Sequence, residues 1–529
     1  MPGSRKLFLD YLAGKTAEYF HYDFNSDDAL RQVQERVSRR SYQRERIVAV
    51  LLRQNQAYGA GPRTIENIHR LLDQSTSAVF TGQQVTLCGG PLFVFYKAAL
   101  AVKLAASNCR KLEGRVVPIF WMAADDADFD EVARLQIPTP ENTLRELIYR
   151  SLGDVSGQPM GAVDLDAGIN TLLDELEQAL PQAEFRAELM TLLRRCYQPG
   201  TSIVTAFGRL MSQVFHDSGL IFVDPSDPEF REMALPVFRR ELELGEQAAQ
   251  LIEGRNRRLE AQGYHLQVAR PGGYSNLFYY NGKRTRIDLA PDGFAIDGKA
   301  YNRAELAGVL ERAPALFSPN VFLRAIVQSH IFPTLVYFAG PAEAAYFSQI
   351  RDLFELYGEE PPIIYPRFSA TIIEPAIARL LEKLEIGVEQ TFGDVNQLVN
   401  EILLRTFPGD FEQGFASLRE EVRRRMDEIA ARLDQSDHGL ITNANRIAGK
   451  LDLEIKNLEE KVFQAHRKKN QTLRAQIERV GFNLYPNGKL QERSFPLIYY
   501  MAKYGHGIID RLLQAVDCNS KVHHLIYLE

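Results

Sequence analysis

Apolar positions change their period along the first third of the chain. Val33, Val37, Ile47, Val50 and Leu51 recur at roughly helical spacing and predict helix over 27–73, leading into a strand at Ser77–Thr81. The stretch AVFTGQQVTLCGGPLFVFYKAALAVKLA, Ala78 to Ala105, passes from that β-prone run through Gly82, Gly89 and Gly90 into an apolar helix. RVVPIFWMAADDADFDEV follows, a second strand that turns acidic within a few residues. Strand, glycine turn, helix, strand is the order of a right-handed βαβ unit. GLIFVD at 219–224, PTLVYFAG at 333–340 and PPIIYP at 361–366 read as further buried strands, each beside a helical segment. The pattern predicts an α/β fold with a doubly wound parallel sheet.

Three stretches leave that alternation. Residues 135–200 read as a strand-like piece followed by a helical one. Residues 263–303 carry Asn-Gly and Asp-Gly pairs between alternating segments, the mark of β-hairpins. From Gly409 to Tyr485 there is no proline, and Phe415, Leu418, Val422, Met426, Ile429 and Leu433 form a heptad-like seam. Ile447, Leu451, Leu458, Val462 and Ala465 form a second seam beyond DQSDHGL, where His438 and Gly439 interrupt the pattern. Two long helices folded back as an antiparallel coiled coil are expected, with an ordinary helical bundle as the other reading.

The expected organisation is therefore a helical lead-in at 1–75 and core segments at 76–134, 201–262 and 313–373. Insertions interrupt the core at 135–200 and 263–312. A coiled coil covers 374–480, and a C-terminal helix at 481–529 returns to the core.

Composition narrows the function classes. The chain has 529 residues, 45% hydrophobic and 25% charged, enough for a sizeable core. Its net charge of −6 and its dispersed basic residues argue against a nucleic-acid partner. No apolar run approaches the ~20 residues that cross a bilayer, and the N-terminus lacks a secretory pattern, so a cytoplasmic protein without a membrane partner is expected. Cys88, Cys109, Cys196 and Cys518 lie far apart without zinc-site spacing, so no metal site is expected from them. Cys88, in the glycine turn, is either a packed small residue or a nucleophile.

Doubly wound sheets bind ligands at their strand ends. After the first strand come Thr81, Gly82, Gln83 and Gln84. Trp121 closes the second, followed by Asp125, Asp126, Asp128 and Asp130. Gly340, Pro341 and Glu343 follow the strand at 333–340. Backbone N–H groups near Gly82, Gly89 and Gly90, at the start of a helix, suit a phosphate or carboxylate; a tight turn with close helix packing explains the same glycines. The acidic run suits a divalent ion or sugar hydroxyls, or equally a solvated loop. Arg324 suits carboxylates and phosphates through its guanidinium fork, while His330 is either structural or catalytic. Lys489, Gln491, Glu492 and Arg493 precede a C-terminal amphipathic helix, as an ion-pair cluster or as charges returned to the site.

TGQQ…GGPLFVFYKA, VPIFWMAADDADFDE, FLRAIVQ…PTLVYFAGPAEAAYF, YPRFS and KLQERSFPLIYYMAKYG together resemble the bacillithiol biosynthesis cysteine-adding enzyme family over nearly the whole chain. The resemblance implies a Rossmann-type core with connecting-peptide insertions and a coiled coil that forms a homodimer. It also implies a ligase that joins the carboxyl group of cysteine to the amine of glucosaminyl-malate. Such an amide needs an activated acid, most simply through ATP with Mg2+ as an acyl-adenylate or acyl-phosphate. On that reading Asp126, Asp128 and His330 are the catalytic candidates. Thr81, Gly82, Gln83, Gln84, Gly89, Gly90 and Lys97 approach the nucleotide or a substrate anion. Trp121, Asp125, Arg324, Gln328, Gly340, Glu343 and Arg367 complete the binding set, Arg324 holding a carboxylate such as malate.

The chain departs from the family pattern in placing Ala127 where a histidine is usual. It also carries Ala325 and Ser329 where the Leu-Arg-Pro…Gln-Asp motif has proline and aspartate. A related acid–amine ligase with another substrate, or a metabolite-binding coiled-coil dimer, are the alternative functions.

Overall fold

The computed structural model describes residues 5–112, 115–269, 272–405, 409–433, 438–518 and 521–529. The chain forms two compact units, Met1–Thr371 with Gln491–Ile526, and Ile372–Leu490 with Tyr527–Glu529.

A five-stranded parallel sheet organises the first unit, and its five strands fall where the apolar runs predict them. Across the sheet the order is Ile363–Pro366, Thr334–Ala339, Ser77–Gln83, Val116–Met122 and Ile221–Val223. Every residue of Val116–Met122 is buried, as expected for a parallel strand covered by helices on both faces. On one face Phe120 packs against Phe207 and Phe95 against Phe215, placing helices Leu92–Lys111 and Ile203–Val214 there. On the other, Phe332 gathers Phe80, Trp121 and Phe230 at 5.3, 6.4 and 5.5 Å between ring centroids.

The chain lays down Ser77–Gln83 first and steps to Val116–Met122 on one side. It later returns to place Thr334–Ala339 on the other side of that first strand. The order therefore reverses between Ser77–Gln83 and Thr334–Ala339. Beyond the carboxyl ends of strands at such a reversal, neighbouring connections diverge and leave a crevice.

Arg134–Pro138 and Leu144–Ile148 form a hairpin, followed by helices Gly168–Ala179 and Arg186–Cys196. A separate antiparallel sheet is built from Tyr274–Tyr280, Arg284–Ala290, Gly293–Ile296, Lys299–Tyr301 and Phe317–Pro319. Its last hairpin turns at Asp297 and Gly298, both in the left-handed region that such two-residue turns require.

In the second unit, helices Pro375–Leu384, Val395–Arg405 and Gln471–Leu484 bury Ile377, Leu381, Val399, Ile402, Ile477 and Val480 in one core. Helices Gly409–Leu433 and His438–Lys469 carry the two predicted seams. Their antiparallel pairing follows from the short connection and from Arg419 Nε donating to Asp452 Oδ1 at 2.8 Å. His438 and Gly439, expected from the sequence to interrupt the pattern, instead open the second helix, and residues 434–437 between the two helices lie outside the described ones. No helix among the described residues is long and apolar enough to cross a membrane.

Candidate active site

At the reversal of strand order lies a cavity of about 360 Å³, lined by Gly82, Gln83, Gln84, Trp121, Asp126, Arg324, Gly340, Glu343 and Arg367 among others. Gly82 belongs there for a steric reason. A Cβ at this position would stand 3.1 Å from the Trp121 carbonyl oxygen, 3.2 Å from Trp121 Cβ and 3.5 Å from Tyr337 Oη. Gly340 makes similar room for Arg367, whose Nε lies 3.1 Å from where a Cβ would sit.

Lys97 and Glu343 form the floor of the site. Lys97 Nζ donates to Gly82 O at 2.8 Å, Gln83 Oε1 at 2.9 Å and Glu343 Oε1 at 2.7 Å, which occupies all three ammonium hydrogens. Burial lowers its pKa, and Glu343 opposes that shift. Glu343 Oε1 also accepts from Tyr337 Oη at 3.2 Å, while Oε2 takes the Gly340 N–H at 2.7 Å. The pair therefore ties the turn after the first strand to the helix that begins at Pro341.

One wall is cationic. Arg324 donates to Tyr346 Oη at 2.6 Å and to Tyr337 Oη at 3.4 Å. Arg367 and Arg493 flank the Phe93 ring, their guanidinium carbons 5.6 and 5.8 Å from its centroid. The N-terminus of helix Pro341–Gln349 adds its dipole to the same side.

The other wall is acidic. Asp126 and Glu131 both line the cavity and both face the Gln84 side chain. Burial pushes the Asp126 carboxyl above its usual range, against the pull of Arg284, whose Nη1 stands 4.0 Å away. Burial also raises Glu131, with Asp128 adding like-charge repulsion. Two buried polar atoms of cavity-lining residues have no partner among the described residues, the Trp121 indole Nε1 and Gln84 Oε1. One is a donor and the other an acceptor, and both are closed off from solvent.

The remaining sequence candidates stand outside the cavity lining. Asp125 is buried in an ion pair with Arg231, and Asp128 caps the short helix Phe129–Val132 through the Glu131 N–H. Thr81 and Gln328 are buried in the core. Gly89 and Gly90, at φ +82° and +68°, face Leu210, Met211, Thr86 and Val94. The N–H of Leu92, at the start of the following helix, donates to Phe495 O. His330 Nδ1 lies 2.9 Å from Glu359 Oε1, away from the cavity. Cys88 is 1% exposed, and burial pushes its thiol up to about 12, which disarms it as a nucleophile.

Sequence reasoning did not assign Glu131, Phe93 or Tyr337 to the site, and it left Arg493 within an undecided charge cluster. Glu131 stands five residues beyond Asp126, and a helical turn over 129–132 brings it back to the same cavity. That turn follows from the Asp128 cap, the one local signal that pointed to it.

Residues 1–368 match a family model described as "Bacillithiol biosynthesis BshC, N-terminal Rossmann-like domain". Residues 370–528 match "Bacillithiol biosynthesis BshC, C-terminal coiled-coil domain". A protein of Salinibacter ruber named "Putative cysteine ligase BshC" is 31% identical, the match covering 98% of this chain and 96% of that one. Proteins of the same name from Symbiobacterium thermophilum and Chlorobaculum tepidum are 33% and 32% identical. Those matches cover 97% and 99% of this chain and 96% and 97% of theirs.

Proposed function

The chain belongs to the bacillithiol biosynthesis BshC family, and on that premise we propose that it is a cytoplasmic ligase joining the carboxyl group of cysteine to the amine of glucosaminyl-malate. The observation that carries this reading is the opposition of guanidinium groups and carboxylates across one cavity. Malate presents two carboxylates, which suit Arg324 and Arg367. The acceptor amine is an ammonium ion at neutral pH and suits Asp126 and Glu131.

Amide formation from a free carboxylate is uphill in water, and in this reading ATP with Mg2+ supplies the activation of the cysteine carboxyl group. The residues present fit the nucleotide part of such a group, since cations and a helix N-terminus suit phosphates. The chain's own residues then position and move protons. Asp126, its proton affinity raised by burial, takes the proton that the ammonium must lose before nitrogen attacks. Arg324, steered by Tyr346, holds a malate carboxylate. No protein nucleophile takes part; rate comes from positioning and fixed charge.

Half-exposed Leu418, Ile429, Ile447, Leu451 and Leu458 on the paired long helices support a homodimer formed through that hairpin. The enzymatic reading is tested by mass spectrometry of the protein incubated with glucosaminyl-malate, cysteine, ATP and Mg2+. A thiol-containing amide that requires ATP supports it. Binding without any amide product, across a panel of amino acids, sinks it in favour of a metabolite-binding dimer.

A further inference from the structure

Resting on that reading of the cavity, we propose that the segment Gln491–Arg493 completes its anion wall from the far end of the chain. Arg493 touches the malate dicarboxylate directly, and Glu492 is a positioning residue that fixes Arg367 for the same ligand. This segment belongs to the sheet-containing unit, although the whole of Ile372–Leu490 separates it in sequence from Arg367.

Glu492 has no exposed surface. Its Oε1 accepts from Arg367 Nη2 and, at 3.0 Å, from Ser369 Oγ; its Oε2 accepts the Ala370 N–H at 3.0 Å. Arg367 Nη1 donates to Phe368 O at 3.0 Å, and its Cδ and Nε pack where Gly340 lacks a side chain. The guanidinium is thus held from several sides while Arg367 still lines the cavity. A cation so fixed can meet a carboxylate without first losing rotamer freedom.

Arg493 differs from its neighbours. Lys97, Arg367 and Arg493 all lie within 5.9 Å of the Phe93 ring centroid. Glu343 balances Lys97, and Glu492 balances Arg367. Arg493 makes no hydrogen bond or ion pair with the described residues; its guanidinium shares the Phe93 ring with that of Arg367, and the Glu492 and Glu343 carboxylates attract it only from beyond bonding distance. An unbalanced guanidinium beside a second one, at a cavity wall, is completed by an anion with more than one charged oxygen group.

The test is calorimetric titration of the full-length protein with L-malate, and separately with inorganic phosphate. The variants are Arg493→Gln, Glu492→Gln, Arg367→Gln and the double Arg367→Gln/Glu492→Gln, each with its unfolding midpoint recorded. Each single variant is expected to weaken L-malate binding about tenfold or more, the scale of one charge-assisted hydrogen bond. Glu492→Gln adds no further loss in the Arg367→Gln background, because a residue that acts through Arg367 has nothing left to position. Arg493 is exposed, so Arg493→Gln keeps the unfolding midpoint and remains informative if Glu492→Gln does not fold. Unchanged or tighter L-malate binding in Glu492→Gln and Arg493→Gln overturns the inference and leaves the cavity reading standing. Loss of phosphate binding with L-malate unaffected overturns the assignment to a dicarboxylate. A wild type that binds no L-malate overturns both the inference and the reading it rests on.

Discussion

Lys97 Nζ and Glu343 Oε1 stand 2.7 Å apart and join the helix after the first strand of the sheet to the helix after the fourth. The pair spans the crevice that the strand order opens, so the ligand cavity has a floor cross-linked by charge. All three Lys97 hydrogens are spent inside the protein. Its role is to hold the floor, which leaves contact with a ligand anion to the arginines of the site.

Glu343→Gln strands the buried ammonium of Lys97. The expected loss is about 3–5 kcal/mol of stability, the scale for breaking one member of a buried pair. Lys97→Met together with Glu343→Gln should recover most of it, because no unpaired charge remains. Urea unfolding of the two variants checks this; equal losses in both would refute the ion pair as the cause.

Gly82→Ala places a methyl group 3.1 Å from the Trp121 carbonyl and 3.2 Å from its Cβ. The first and second strands are paired in register there and cannot spread without breaking the ladder. About 1–3 kcal/mol of destabilisation is expected, as for overpacking. Ligation activity should fall further than stability alone explains, because the shift reaches Trp121 and Tyr337. Steady-state kinetics well below the unfolding temperature separate the two effects.

His330→Ala should leave turnover within about threefold of wild type, since the imidazole is bonded to Glu359 outside the cavity. A hundredfold fall in kcat with an unchanged fold would return His330 to the catalytic candidates.

The strands and the ligand-binding edge of the sheet are legible in the sequence because buried parallel strands are continuous apolar runs. Val116–Met122 cannot be mistaken for anything exposed. The division of labour among the glycines is not legible. Gly82, Gly89 and Gly90 look alike in sequence, yet only Gly82 lines the cavity, while the other two turn the chain into the apolar helix. Partner identity decides the rest. Nothing near Lys97 in sequence foretells Glu343, which is 246 residues away. Nothing near Arg367 foretells Glu492, because only the folded chain brings its far end back. His330 looks like a site histidine until Glu359 is seen beside it.

Asp126 and Glu131 carry the pH dependence. Both carboxyls are raised above their ordinary values, first by partial desolvation in the cavity, although the Asp126 side chain stays 46% exposed and Glu131 keeps an exposed edge. Gln84 faces both, Arg284, Asp125 and Arg324 bear on Asp126, and Asp128 and Asp126 bear on Glu131. A raised carboxyl keeps its proton to higher pH, and the base form is the active one. Activity should therefore fall on the acid side at a higher pH than an ordinary carboxylate would give. Asp126→Asn should cost about a hundredfold or more and flatten that limb, whereas Glu131→Gln should move it to lower pH. A pH profile of kcat/KM for the three proteins checks this, and an acid limb unchanged in Asp126→Asn would refute it.

A second cavity, of about 530 Å³, opens at the opposite edge of the sheet, near the start of Val116–Met122, with Arg63, Lys103, His216 and His506 in its walls. Comparing the two cavities tests the central claim most directly. The measurement is single-turnover formation of the thiol-containing amide from glucosaminyl-malate, cysteine and ATP, with Asp126→Asn and Arg324→Gln set beside Lys103→Ala and His216→Ala. The account predicts that product nearly vanishes in the first two and stays close to wild type in the second two. Full activity in Asp126→Asn and Arg324→Gln, with loss in Lys103→Ala or His216→Ala, would contradict it and move the chemistry to the other end of the strands.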